Sequence, residues 1–152
     1  MKYEAIDFKL FVKNRQRFSK ALKSNSLAIF NSNDIMPTNA DGTMPFRQNN
    51  DLFYLSGVDQ EESILLIFPD AKSEKHREIL FLKETNAHIA VWEGAKLDKK
   101  QAYQTSGIQT VYWLDEIEVV LKDLVHEAKH VYLNTNEHLR AKIEVETRDA
   151  RF

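Results

Sequence analysis

Cysteine is absent from this 152-residue chain, which excludes disulfides and thiolate-held metal and is compatible with a reducing compartment, so the cytoplasm is the expected location. Glycine and proline are scarce, with four and three residues. No glycine-rich phosphate loop is present, and no serine stands in a G-x-S-x-G elbow, which leaves phosphoryl transfer and serine hydrolysis without support. Neither sign of charge predominates: 21 basic and 23 acidic side chains are scattered to a formal net charge of −2. With no basic stripe to neutralise phosphates, nucleic acid is not an expected partner. Long apolar runs are missing too. The longest, such as Ile64 to Phe68, has about five residues against the roughly 20 of a membrane span, so no membrane is expected. The opening MKYEAIDFKLFVKNRQRF mixes charges throughout and lacks the apolar stretch of an export signal.

What is present fits one folded domain: 43% hydrophobic and 29% charged residues are an ordinary globular balance. Phe8, Phe11, Val12, Phe18 and Leu22 recur near helical spacing behind Asp7, a candidate N-cap. Six apolar stretches read as strands: SLAIF (Ser26 to Phe30), LFYLSG (Leu52 to Gly57), SILLIFPD (Ser63 to Asp70), EILFL (Glu78 to Leu82), TVYWL (Thr110 to Leu114) and VYLN (Val131 to Asn134). A long polar loop fills Asn31 to Met44. LDKKQAYQTSG reads as a short helix stopped at Gly107. Asp115 is placed to cap a helix whose apolar face is Ile117, Val120, Leu121, Leu124 and Val125. Strands that are continuous apolar runs and alternate with helices predict an α/β fold, with a mixed, largely buried sheet of about six strands flanked by helices.

The most distinctive stretch is Phe46-Arg47-Gln48-Asn49-Asn50-Asp51-Leu52-Phe53-Tyr54-Leu55-Ser56-Gly57. Taken physically, it is a polar turn entering an aromatic element. It nevertheless resembles the aminopeptidase P family, whose N-terminal domains carry a Phe or Tyr, Arg-Gln, a small polar pair, aromatics and a closing glycine. Two later stretches agree in order: Trp92-Glu93-Gly94 and the helix start Leu114-Asp115-Glu116-Ile117. One departure is Lys83 before Glu84, where relatives often carry Arg; it bears on local loop contacts.

The resemblance implies that residues 1–152 are the non-catalytic N-terminal domain of an Xaa-Pro aminopeptidase, which removes the residue ahead of a proline. Its partners would be its own C-terminal "pita-bread" catalytic domain, further copies in a homo-oligomer, and peptide substrates. Two divalent metal ions, usually manganese, would sit in that catalytic domain, so this chain alone is expected to hold no cofactor and to be inactive. Prolidase and creatinase share the two-domain plan and are the alternative relatives. Trp92 and Asp41 are implied to reach a substrate cleft or an oligomer contact: an indole offers a flat surface to a prolyl ring, and a carboxylate suits a free amine. The competing reading makes Trp92 a packing residue and Asp41 a turn residue before Gly42.

His126-Glu127-Ala128-Lys129-His130 matches H-E-x-x-H, in which two histidines one helical turn apart bind zinc and the Glu is general base. A self-contained zinc hydrolase is therefore a competing function, and a free-standing interaction module is a third. Against zinc, the motif ends a helix just before a strand, so His130 is expected to leave the shared face. His76, His88 and His138 are too scattered to form a cluster.

Overall fold

The computed structural model describes residues 6–86, 88–89, 91 and 94–135. Trp92 and His138 lie outside them. Five strands and four helices are described: α1 Lys9–Ala21, β1 Ser26–Asn31, α2 Asn50–Ser56, β2 Ser63–Ile67, β3 Glu78–Leu82, α3 Lys99–Ser106, β4 Thr110–Trp113, α4 Ile117–Glu127 and β5 His130–Leu133. The strands form one sheet in the order β4-β3-β2-β1-β5. β2 is antiparallel to both neighbours, whereas β3 with β4 and β1 with β5 are parallel.

The sixth expected strand, LFYLSG, is instead helix α2. Its aromatics favour a strand, but its buried residues Leu52, Leu55 and Ser56 repeat at helical spacing. Both ends are closed locally. Asn49 accepts the N–H groups of Asp51 and Leu52 at 3.0 and 3.3 Å, and Gly57 at φ 71° returns its N–H to Phe53. Capping and periodicity outweigh residue propensity in so short a segment.

Alternate side chains of the strands feed two cores. Ala28, Phe30, Leu65, Ile67, Leu80, Leu82 and Val111 pack with Leu52, Leu55 and Ala102, and with Phe18 and Leu22. Leu27, Ile29, Leu66, Phe68, Ile79 and Phe81 pack with Leu124 on the other face, where Ile117, Val120 and Leu121 join them. Burial on both faces explains why these strands are continuous apolar runs. Val125 does not belong to that helical face: it is 42% exposed, and Ala128 packs in its place. Asp7 lies one residue outside the α1 N-cap, Phe8, yet its carboxylate accepts the Lys9 N–H at 2.9 Å. Nor does Asp115 cap α4. A 3-10 turn over Leu114–Glu116 precedes that helix, and Glu116 accepts the Trp113 N–H at 2.8 Å.

One polar side chain joins three helices. Arg15 of α1, 0% exposed, donates to Leu55 O at 2.8 Å and Ser106 O at 3.0 Å, in the last turns of α2 and α3. Its Nε lies 3.0 Å from the Glu78 carboxylate. A cation suits the negative ends of two helices. Burial lowers the Arg15 pKa and the Glu78 carboxylate opposes that shift; the ordinary value is so high that the group stays charged.

Candidate functional site

Four strands, β1, β3, β4 and β5, run one way, so their carboxyl ends share one end of the sheet. Crevices beyond such ends are where open α/β sheets hold ligands. The chain after Asn31, Leu82, Trp113 and Leu133, and the turn before Ser63, all lie there.

Asp41 sits in a small hairpin of this region. Pro37 bridges Thr43, Met44 N–H donates to Met36 O at 2.8 Å, and Gly42 N–H donates to Asn39 O at 3.0 Å. The Asp41 residue at the tip is exposed, so it is a turn residue whose carboxylate is open to solvent. The chain then enters the motif. Phe46 is half-buried and lines, with Pro45, Phe53 and Asp59, a hollow of about 530 Å3. Arg47 is exposed and borders both that hollow and a polar one of about 390 Å3 containing Asn33, Asn50 and Asn134.

The next residues build rather than bind. Gln48 is buried, and its amide donates to Val58 O at 3.1 Å and Gln60 O at 2.7 Å while its oxygen accepts Asn49 N–H at 2.8 Å. It thereby holds the turn 58–62 against the motif. Asn49 is the α2 N-cap. Tyr54 is 50% exposed, and its carbonyl takes a 2.8 Å hydrogen bond from Asn14. Gly57 is dictated by packing: besides its positive φ, a Cβ there would stand 2.2 Å from the Phe11 ring. Gly94 also has positive φ, 81°, but a Cβ there meets no described residue within 4 Å. Its backbone conformation calls for glycine.

The turn 58–62 carries residues that sequence reasoning missed. Glu61 pairs with Lys96, with only 17% and 15% of the side chains exposed. Glu62 pairs with Lys83 at 3.0 Å. Gln60, buried, accepts Leu97 N–H at 2.8 Å. Burial holds the Lys96 ammonium below its ordinary pKa. Glu62 adopts φ 50°, a left-handed backbone that costs a non-glycine residue about 1–2 kcal/mol. Partners 21 and 35 residues apart leave no periodic signal in sequence, and only the adjacent acidic pair is visible there.

The H-E-x-x-H stretch lies at the opposite end of the sheet. α4 ends at Glu127, and His130 opens β5, its N–H directed at Asn25 O. The two histidines therefore do not share one helical face, and both are exposed. His126 Nδ1 lies 2.7 Å from Lys122 O, and Glu127 accepts Lys72 N–H at 2.6 Å. Among the described residues, no three His, Cys, Asp or Glu side chains are grouped to hold a metal.

Residues 11–132 match the family model of the aminopeptidase P N-terminal domain. This chain belongs to that family. Over 122 residues it is 27% identical to the Xaa-Pro aminopeptidase of Haemophilus influenzae, covering 80% of this chain and 28% of that protein. The Xaa-Pro aminopeptidase of Escherichia coli K12 is 24% identical over 133 residues, 88% of this chain and 30% of that one. Human Xaa-Pro aminopeptidase 3 is 28% identical over 103 residues, 66% of this chain and 19% of that protein. Among solved structures, Pseudomonas aeruginosa aminopeptidase PepP superposes with a TM-score of 0.80 at 20% identity, covering 92% of this chain and 31% of that one. The low-pH form of Escherichia coli aminopeptidase P gives 0.77 at 23% identity, with 91% and 31% covered. The aminopeptidase P domain described here thus spans under a third of the length of these relatives. No helix among its described residues is long and apolar enough to cross a membrane.

Proposed function

We propose that this domain is the substrate-access half of a metal-dependent Xaa-Pro aminopeptidase and acts beside a catalytic domain that follows it. The reading is supported by membership of this family, with exposed Asp41 and exposed Arg47 in the chain that follows β1 and left-handed Gly94 in the chain that follows β3. The Xaa-Pro aminopeptidase names of the relatives supply the substrate class, peptides with proline second.

In this reading the Asp41 carboxylate faces the free peptide amine and the Trp92 indole covers the prolyl ring. Two divalent metal ions, manganese in this proposal, would belong to the catalytic domain and would supply Lewis-acid chemistry there. The described residues do not group into a metal site. Their part is to orient peptides and to exclude large substrates, and no step of hydrolysis is assigned to them. Contacts between copies in a homo-oligomer would bring these loops to a neighbour's cleft. The cytoplasm is the proposed location, although one relative is a mitochondrial intermediate cleaving peptidase of Arabidopsis thaliana.

The test uses the full-length protein. Trp92→Ala and Asp41→Asn are each expected to lower kcat/KM on Xaa-Pro peptides by about tenfold while the stability of the domain falls by no more than about 1 kcal/mol. Unchanged catalysis accompanied by a large loss of stability would show that these residues only pack.

A further inference from the structure

Three ties run from one short turn to the segment between β3 and α3. Glu62 holds Lys83, the first residue after β3, at 3.0 Å. Glu61 holds Lys96 near the other end of the segment. Gln60 accepts Leu97 N–H at 2.8 Å, one residue further on. The turn is itself fastened from behind, since Gln48 of the Arg-Gln motif donates to both Val58 O and Gln60 O. Glu62 reaches its place with a left-handed backbone, φ 50°, and such strain persists only where the surroundings enforce it.

Consecutive glutamates thus grip the two ends of a segment whose ends have no strand or helix pairing of their own. The Glu61–Lys96 pair is mostly enclosed, with 17% and 15% of the side chains exposed. An enclosed pair holds geometry better than a solvated one, because solvent does not screen it and the long side chains have less freedom to lose. A comparison lies nearby: Lys99 reaches Glu116 at 3.8 Å and stacks over Trp113 at 4.8 Å, on the same side of the sheet, with neither partner on the turn.

We infer that Glu61 and Glu62, through Lys96 and Lys83, are positioning residues that set where the two described ends of the β3–α3 segment stand against a bound peptide. The inference rests on the proposed peptide-cleft role of this end of the domain. The clasp touches no reacting atom. It acts on the fit of the peptide, so its loss raises KM and leaves kcat nearly unchanged.

The experiment measures kcat, KM and melting temperature of the full-length protein on an Xaa-Pro tripeptide. Lys96→Met and Lys83→Met are expected to raise KM about fivefold to tenfold with kcat within about twofold. Lys96→Arg should keep KM within about twofold, and the exchanged pair Glu61→Lys with Lys96→Glu should recover most of the loss. Lys99→Met is the control, expected to leave KM unchanged. Equal KM in Lys96→Met, Lys83→Met and wild type, or a drop in melting temperature as the sole effect, overturns the inference. Trp92→Ala, measured in parallel, separates the two ideas. If Trp92→Ala weakens catalysis while the clasp variants do not, the clasp fails and the cleft reading stands. If neither Trp92→Ala nor Asp41→Asn changes kcat or KM, the cleft reading fails and takes the clasp with it.

Discussion

Two glycines of the family pattern serve different ends, and one substitution at each separates them. At Gly57, alanine meets the Phe11 ring at 2.2 Å and must also hold φ 71°. Gly57→Ala is expected to destabilise by at least about 2 kcal/mol, strain and overpacking together. Gly94→Ala brings its Cβ against no described residue and is expected to suffer only the backbone strain at φ 81°, about 1–2 kcal/mol. Urea denaturation of both variants checks the contrast, and equal losses would contradict the packing assigned to Gly57. Arg15 is the other residue on which much hangs. Arg15→Met leaves two helix-end carbonyls and the Glu78 carboxylate without their cation, and a loss of about 3 kcal/mol is expected. A loss under about 1 kcal/mol would show that solvent replaces it easily.

Among the elements, α2 was the one misread, and the same residues explain both the error and the outcome. Leu52, Phe53, Tyr54 and Leu55 look like a strand by type, while the Asn49 cap and the closing Gly57 bound about two turns of helix. Asn49→Ala removes the acceptor of two N–H groups and is expected to cost about 1 kcal/mol, read as a lower urea midpoint with an unchanged slope. By contrast, α3 was legible because its signals agree. Asp98 and Gln101 form a reciprocal capping box, with bonds of 2.7 and 3.0 Å, and Gly107 ends the helix. Strand β3 spans the Glu78–Leu82 run as read, since a strand buried on both faces favours a continuous apolar run, here Ile79 to Leu82.

At the scale of the whole molecule, the polarity of the sheet sets the two candidate motifs apart. The family motif and the Asp41 hairpin gather beyond the carboxyl ends of the parallel strands, and His126, Glu127 and His130 lie at the other end. His126→Ala in the full-length protein is therefore expected to leave kcat/KM on Xaa-Pro peptides within about twofold. The 152-residue chain alone is expected to show no turnover with manganese, cobalt or zinc added. Turnover that survives purification and disappears in His126→Ala would restore the zinc reading.

Local patterns in the amino-acid order determined the α/β class, four of the five strands nearly to their ends, the Gly107 stop and the family, because strand burial, helix stops and the Arg-Gln motif are written in neighbouring residues. They also foretold that H-E-x-x-H breaks before its second histidine, since β5 begins there. Tertiary structure alone decided the rest. The number of strands fell from six to five once Leu52 and Leu55 found the first core from a helix. Arg15 reads as one charge on a basic helix face, and only its reach to Leu55, Ser106 and Glu78 makes it an interior cation. The clasp of Glu61 and Glu62 on Lys96 and Lys83 had no sequence signal, because charge attraction acts across space between chain-distant loops, and it was the sheet that brought those loops together.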